Sequence, residues 1–223
     1  MIILFFSRLH KMIILTFLPE GGAYMVRGAV LVSGDGGQLQ AILDSIYFKE
    51  LPEFELIAVI STSRDAYAMK RAASAHVPAH VVDPELFPTA MSHSIAIATK
   101  LKDMDIDLVI LDEYTMPLGV IPFQFRGKVI SSMPALYPAF DQYEGDIYKA
   151  TIKRGLRVTG GTVYLCDNDG GVGTILGQKA IDVVPGESAE TLQRKIMEDC
   201  FWKLLPAAVL EFCSSTAKQR RKK

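Results

Sequence analysis

The chain has 223 residues, of which 49% are hydrophobic and 22% are charged, so it is long enough for one well-packed domain and short for two. Its net charge of -1 and its isoelectric point of about 6.4 exclude a global positive field that would attract nucleic acid or an anionic membrane. Three cysteines without metal-ligand spacing, Cys166, Cys200 and Cys213, exclude a disulfide framework and indicate buried thiols in a reducing cytoplasm.

The first 24 residues differ from the rest of the chain. They contain two short apolar runs separated by Arg8, His10 and Lys11, and neither run approaches the roughly 20 residues that span a bilayer. The order of charged, apolar and small residues also fails to match a signal peptide. We therefore expect residues 1–24 to be a doubtful leader, with translation starting at Met25. The alternative is a weak membrane-surface or partner-binding extension.

A single domain is predicted over residues 25–214, followed by a basic tail over residues 215–223. The tail contains a basic run from Lys218 to Lys223. We expect this run to be a solvated terminus after the last helix, because chain ends are commonly frayed.

Short apolar strands alternate with helices in the first half of the chain. Strands are predicted over residues 27–33, 55–61, 79–82 and 106–112. Helices are predicted from Leu39 onward and over residues 65–76 and 88–102. This alternation predicts an α/β fold, an open, mostly parallel, twisted sheet with helices on both faces and a Rossmann-like N-terminal half.

A late antiparallel hairpin and a last helix complete the predicted fold. Residues 157–165 and 174–184 are apolar strands that flank a turn rich in Asp, Asn and Gly. Ser188 stands at an N-cap position. The inner face of the helix that follows is expected to carry Leu192, Ile196, Cys200 and Leu204.

The glycine-rich segment over residues 33–40 is the first candidate binding site. It follows a buried strand and opens a helix, and ligands of open α/β sheets bind at the carboxyl ends of the strands. Backbone N–H groups of Gly36, Gly37 and Gln38 would hold a phosphate, and the glycine at 37 is expected to leave space beside it. The alternative is a purely structural turn, because such turns are common.

Asp112 and Glu113 directly follow the strand predicted to end at residue 112. One interpretation makes them, together with Asp146, new acid, base or metal-binding groups of an enzyme. The other interpretation is structural: at the end of a strand they cap a neighbouring helix or face water.

Several segments resemble phosphoribosylglycinamide formyltransferases. The resemblance rests on residues 30–44 (VLVSGDGGQLQAILD), 59–72, 155–183 and 184–196 (VPGESAETLQRKI). It implies the formyltransferase fold, with the glycine loop holding the phosphate of glycinamide ribonucleotide. It also implies 10-formyltetrahydrofolate as co-substrate if the protein is active.

The positions of the family's catalytic side chains are substituted. The family's NxHPSLLP stretch reads SSMPALYP over residues 131–138, which puts Ser131 at the Asn position and Met133 at the His position. Gly171 stands at the position of the catalytic Asp. Asp169 and Asp167 are its close neighbours, and Asp169 and Asp146 are the candidate substitutes. A thioether has no proton to donate and no useful basicity, so the resemblance implies a degenerate site.

The folate side of the family's site is also altered. The family's AGxMRxL segment appears here as LDEYTMPLG over residues 111–119, with Met116 at the Arg position and Leu118 as a second candidate folate contact. No histidine lies between residues 128 and 173, and no histidine pair has metal-ligand spacing, so no metal is expected.

Three hypotheses remain open. The first is a degenerate relative that binds a phosphorylated ribose such as glycinamide ribonucleotide, or a partner protein. The second is an active formyltransferase that uses Ser131, Asp169 or Asp146 in altered roles. The third is a different enzyme on the same scaffold, using Asp112, Glu113 and Asp146.

Overall fold

A computed structural model describes residues 24–220 and contains one seven-stranded sheet. The strands in chain order are β1 (Val26–Val32), β2 (Phe54–Ser61), β3 (Ala79–Val81), β4 (Leu108–Asp112), β5 (Val129–Met133), β6 (Val158–Cys166) and β7 (Val172–Asp182). The α-helices are α1 (Gly37–Tyr47), α2 (Tyr67–Ser74), α3 (Ala90–Asp103), α4 (Ile121–Gln124), α5 (Ile147–Lys153), α6 (Ala189–Ile196) and α7 (Trp202–Arg220).

The strand order is β3-β2-β1-β4-β5-β6-β7. The first five strands are parallel, whereas β6 runs antiparallel to both β5 and β7. This arrangement confirms the predicted fold class. It also brings the carboxyl ends of β1, β4 and β5 side by side at one edge of the sheet, where ligands of such sheets bind.

Helices cover both faces of the sheet, as predicted. One hydrophobic core packs α1, α2, α6 and α7 against one face, with Leu39, Ile42 and Leu205 fully buried. A second core packs α3 and α4 against the other face, around Ile97 and Leu101. Since β1 and β4 are buried on both faces, they are nearly continuous apolar runs in the sequence.

Two helices differ in extent from the prediction. The helix predicted over residues 65–76 is shorter because His76 adopts a left-handed φ of 57° beyond its C-terminus. The helix predicted over residues 88–102 begins at Ala90, because Thr89 and Ser92 form a capping box there.

The last helix is longer than predicted, which corrects the boundary at residue 214. Residues 215–220 belong to α7 instead of a tail after it. The Arg220 guanidinium stacks 3.6 Å from the centre of the Tyr24 ring and lies 4.0 Å from the Asp107 carboxylate, so its charge is held against the domain. Residues 1–23 and 221–223 lie outside the described range, and the start at Met25 stays a prediction. No helix of the described residues is long and apolar enough to cross a membrane.

A π turn over Met197–Phe201 separates α6 from α7. The Ser188 hydroxyl accepts a hydrogen bond from the Thr191 N–H at the start of α6, which confirms the predicted N-cap. Cys200 is fully buried as expected, but Leu204, four residues later, is only half-buried, and the fully buried leucine of that turn is Leu205. The wider π turn adds one residue, so the four-residue spacing expected from the sequence ends here.

Candidate functional site

A cleft of about 650 Å³ opens at the carboxyl ends of β1, β4 and β5. Its polar lining consists mainly of hydroxyl and amide groups, from Ser33, Gln38, Tyr114, Thr115, Ser132, Tyr148 and Gln193. The ionisable acids are Glu113 and Asp146, and no lysine, arginine or histidine of the described residues lines the cleft. The cleft therefore offers hydrogen bonds to a ligand but carries negative charge.

The glycine loop has the backbone geometry of a helix start. Gly36 is the N-cap of α1 with a left-handed φ of 73°. A side chain on Gly36 would collide with α2, since a Cβ would lie 2.8 Å from the Ala68 Cβ. Within residues 24–220 the N–H groups of Gly36 and Gly37 have no acceptor. Two backbone donors thus remain free at the positive end of α1.

The space beside Gly37 is occupied, which corrects the expectation of open space there. A Cβ at this position would lie 3.0 Å from the Met197 Cε and 3.3 Å from its sulfur. The Gln38 side chain is also turned inward, because it is 2% exposed and its Oε1 accepts a 2.8 Å hydrogen bond from the Ser132 hydroxyl. At positions 36 to 38 the loop therefore offers a ligand mainly backbone groups.

Asp112 caps the same helix from inside the protein. β1 and β4 pair with Val32 opposite Asp112, which brings this carboxylate beside the start of the glycine loop. Its Oδ2 accepts a 2.8 Å hydrogen bond from the Leu39 N–H, its Oδ1 has no partner within the described chain, and the side chain is fully buried. The helix-capping interpretation of Asp112 is confirmed.

Burial has a large electrostatic effect on Asp112. It raises the pKa of the carboxyl from 3.8 to about 7, although the hydrogen bond from Leu39 opposes the shift. Near neutral pH the start of α1 is therefore faced by an internal carboxyl that is partly ionised. An external phosphate at the glycine loop would approach this charge.

Glu113 is the acid most directly presented to the cleft. Its backbone φ of 46° is left-handed, a conformation that costs energy in residues with a side chain. The carboxylate lies close to the loop, with Oε2 3.9 Å from the position of a Cβ on Gly34. Burial raises the pKa of Glu113, and a hydrogen bond with Gln193 opposes that rise.

Asp146 is already engaged in structure. It is the N-cap of α5, where its Oδ1 accepts a 2.9 Å hydrogen bond from the Lys149 N–H. Its Oδ2 lies 3.2 Å from the Lys149 Nζ. The backbone hydrogen bond from Lys149 is the main reason why the pKa of Asp146 is lowered. A carboxylate held in this way is a poor proton donor at neutral pH.

Ser131 and Met133, which the resemblance puts at the family's Asn and His positions, lie on β5 and face away from the polar lining of the cleft. Successive strand residues alternate between faces, and Ser132 is the residue that lines the cleft. Ser131 pairs directly with Tyr164 across the β5–β6 ladder. Met133 packs against a small apolar cluster that contains Ala135 and Phe140. Met133 thus contributes to packing.

Gly171, which the resemblance puts at the position of the family's catalytic Asp, lies in the exposed turn between β6 and β7. Oδ1 of Asp167 accepts hydrogen bonds from the N–H groups of Asp169 and Gly171, at 2.9 and 2.8 Å. Neither Asp169 nor Gly171 lines the cleft. On the predicted folate side, Leu118 lies beside the same turn, since a Cβ on Gly170 would approach its Cδ1 to 3.1 Å. Met116, two residues before Leu118 in the sequence, is half-buried.

Two features of the site were not predicted from the sequence. Arg71 on α2 donates 2.8 Å hydrogen bonds to the Asp35 carbonyl and to the Gln40 side chain, and so supports the glycine loop. Tyr114 contributes a buried hydroxyl that has no partner among the described residues. The tyrosine follows Glu113 at the end of β4, a position that could have indicated it. No spacing signal connects Arg71 with the loop.

Most of the described chain is similar in sequence to formyltransferases. A family model described as formyl transferase matches residues 26–209. Phosphoribosylglycinamide formyltransferase of Haemophilus influenzae is 30% identical over 177 residues, covering 78% of this chain and 81% of that protein. The trifunctional purine biosynthetic protein adenosine-3 of Drosophila pseudoobscura is 31% identical over 173 residues. That match covers 76% of this chain but 12% of the trifunctional protein, so the chain spans only a small part of it.

Solved structures share the fold over most of their length. Glycinamide ribonucleotide transformylase 1 from Symbiobacterium toebii has a TM-score of 0.80 and 32% identity, covering 86% of this chain and 89% of the other. The enzyme of the same name from Geobacillus kaustophilus has a TM-score of 0.79 and 29% identity, covering 85% and 100%. The likeness therefore includes both the parallel half of the sheet and the late hairpin.

Proposed function

Because the chain belongs to the phosphoribosylglycinamide formyltransferase family of purine biosynthesis, we propose that it is a binding relative of these enzymes that has lost formyl transfer. The proposal is carried by the chemistry of Ser131, Met133 and Gly171, the residues that the resemblance puts at the family's catalytic positions. Its three cysteines are unpaired and buried, which supports a reducing, cytoplasmic location.

Formyl transfer places two demands on the site. The reaction passes through a tetrahedral intermediate, so the site must stabilise an oxyanion and move protons between two nitrogens. A thioether at 133 and a glycine at 171 provide neither function. The nearest carboxylates do not replace them, since Asp146 caps α5 and Asp169 lies on an exposed turn.

We expect the purified full-length protein to transfer formyl from 10-formyltetrahydrofolate to glycinamide ribonucleotide at less than roughly a thousandth of a family enzyme's rate. Loss of one oxyanion donor alone typically costs about 100- to 1000-fold. The measurement is the spectroscopic transfer assay, with the Haemophilus influenzae relative as positive control. Turnover comparable with the control would overturn the proposal.

For the ligand, we propose a phosphorylated ribose such as glycinamide ribonucleotide at the glycine loop. Support comes from the free N–H groups of Gly36 and Gly37 at the start of α1. The Asp112 carboxylate competes for the same positive helix end. Binding should therefore be weak when Asp112 is ionised and stronger when it is protonated.

Asp112→Asn should bind ribose 5-phosphate about tenfold more tightly than the wild type at pH 8, because one close negative charge is removed. The advantage should shrink as pH falls through about 7, where wild-type Asp112 gains its proton. Calorimetric titration of both proteins at pH 8 and pH 6 measures this. Ionisation of the phosphate itself affects both proteins alike, so the ratio of their affinities isolates Asp112.

Two results would contradict the ligand proposal. Equal affinities of the two proteins at pH 8 would mean that Asp112 does not compete with the phosphate. No binding to either protein would mean that the loop is only a structural turn. The degenerate protein would then have to act through a protein partner.

A different enzyme on this scaffold is a second candidate, favoured by one observation. Glu113 holds a strained left-handed backbone, has a raised pKa and lines the cleft. These are properties of a general acid or base. Asp112 adds little to this candidate because it is fully buried behind the loop.

A further inference from the structure

A second cavity lies at the opposite edge of the sheet from the cleft. Its volume is about 450 Å³, within the range of small-molecule sites. Asp107 and Lys128 line it, and they immediately precede β4 and β5. The cavity is therefore at the amino ends of the parallel strands, away from the site shared with the family.

We propose that this cavity binds a small phosphorylated ligand of nucleotide size. Three cationic side chains line it, from Arg126, Lys128 and Arg220. Within the described residues neither Arg126 nor Lys128 has a carboxylate partner within 4.0 Å. The Arg126 guanidinium stacks 4.3 Å from the centre of the Phe123 ring, which leaves its charge uncompensated. Cations without a carboxylate partner that line one cavity favour an anionic ligand.

The single acid of the cavity does not neutralise these charges. Oδ2 of Asp107 accepts hydrogen bonds from the Tyr24 hydroxyl at 2.5 Å and from the Arg27 N–H at 3.1 Å. Only its Oδ1 approaches a cation of the cavity, at 4.0 Å from the Arg220 guanidinium. Three positive charges against one engaged carboxylate leave the cavity with a formal excess of two positive charges.

Helix α7 supplies the remaining wall. Phe212, Ser215, Thr216 and Arg220 follow a helical spacing of three and four residues and so share one face of the helix. The Ser215 hydroxyl donates to the Phe212 carbonyl at 2.8 Å, so Thr216 supplies the hydroxyl that can donate to a phosphate beside the guanidinium. Phe212 and Leu165 form an apolar part of the wall, which suits the uncharged portion of a nucleotide.

The two cavities differ in the sign of their charge. The cleft at the carboxyl edge is lined by two acids and no cation of the described chain, whereas the second cavity has three cations and one acid. Electrostatic attraction will therefore concentrate anions at the second cavity. This proposal stands independently of what the cleft binds.

The test is calorimetric titration of the full-length protein with adenosine monophosphate, inorganic phosphate and adenosine. We expect the monophosphate to bind at least tenfold more tightly than adenosine, and inorganic phosphate to compete with it. The double variant Arg126→Gln/Lys128→Gln should bind the monophosphate at least tenfold more weakly. The matched control Lys153→Gln/Lys203→Gln removes two exposed charges outside the cavity and should bind like wild type.

Three outcomes would overturn the proposal. The first is that the wild type does not bind the monophosphate. The second is that wild type and Arg126→Gln/Lys128→Gln bind it with equal affinity, and the third is an equal loss in the control variant, which would show attraction by net charge without a site. The monophosphate contains a phosphorylated ribose, so the glycine loop is a second place for it; Arg126→Gln/Lys128→Gln changes only the second cavity, and Asp112→Asn changes only the loop. A loss in the former variant with no loss of ribose 5-phosphate binding at the loop therefore separates this proposal from the ribose phosphate proposal.

Discussion

Asparagine in place of Asp112 should stabilise the protein by an amount that grows between pH 5 and pH 8.5. The folded-state pKa of this buried carboxyl is about 7, against 3.8 for its ordinary value. In the unfolded chain the carboxyl ionises freely near pH 4. The folded protein keeps the proton until about pH 7, because ionisation in the buried site is costly.

The sign follows from proton binding. Between about pH 4 and pH 7 the folded state binds more protons at Asp112 than the unfolded state, so the free energy of unfolding falls as pH rises. About three pKa units correspond to roughly 4 kcal/mol once the pH exceeds 7. Asparagine retains an oxygen that can accept from the Leu39 N–H and has no proton to lose.

Urea denaturation of wild type and Asp112→Asn at both pH values measures this effect. The difference in unfolding free energy should increase by about 2 to 4 kcal/mol from pH 5 to pH 8.5. Groups that titrate alike in both proteins cancel in this difference. Asp35→Asn is the control, since the exposed Asp35 lies on the same loop and should change the difference by less than about 0.5 kcal/mol. A pH-independent difference for Asp112→Asn would contradict the burial argument.

Alanine in place of Gly160 should destabilise the protein by at least about 3 kcal/mol or prevent folding. Gly160 lies in β6 opposite Ala180 of β7, and a Cβ on it would overlap the Lys179 carbonyl oxygen. It would also approach the Leu136 Cδ2 to 3.0 Å. Because the main obstacle is backbone, relief requires the two strands to separate and lose ladder hydrogen bonds.

Gly34→Ala is the matched control for this substitution. Its nearest neighbour would be the Glu113 Oε2 at 3.9 Å, an ordinary contact, and we expect a change below about 1 kcal/mol. Equilibrium denaturation of both variants supplies the comparison. Similar stabilities for the two variants would show that β6 and β7 have more freedom to move apart than their pairing indicates.

Local patterns predicted most of the fold because they act over a few residues. The apolar strands, the N-cap at Ser188 and the buried face through Ile196 and Cys200 were found from spacing alone. Boundaries failed where a single residue ended an element, as His76 does with its positive φ. The π turn was missed because no sequence pattern distinguishes it from an α-helical turn.

The site was less predictable because its contacts join distant parts of the chain. Met197, which is distant from Gly37 in the sequence, fills the space beside it in the fold. That Asp112 caps a helix was one of two interpretations, and choosing it required the pairing of β1 with β4. The orientation of Ser131 and Met133 depends on which face of β5 meets the cleft. The pairing register of β5 decides which of its side chains face the cleft, and a shift of one residue would turn Ser131 and Met133 toward it.

The π turn bears on how the two last helices tolerate changes in length. In a continuous α-helix one added residue rotates everything after it by about 100°, which carries buried side chains to the surface. Here the surplus residue is absorbed within a single turn, and the later part of the helix keeps a buried face of Leu205, Ala208, Val209 and Cys213. Leu205 lies five positions after Cys200, where an uninterrupted α-helix would repeat its buried face after about four. The π turn therefore lets α6 and α7 share one hydrophobic core although their apolar positions are out of phase by one residue.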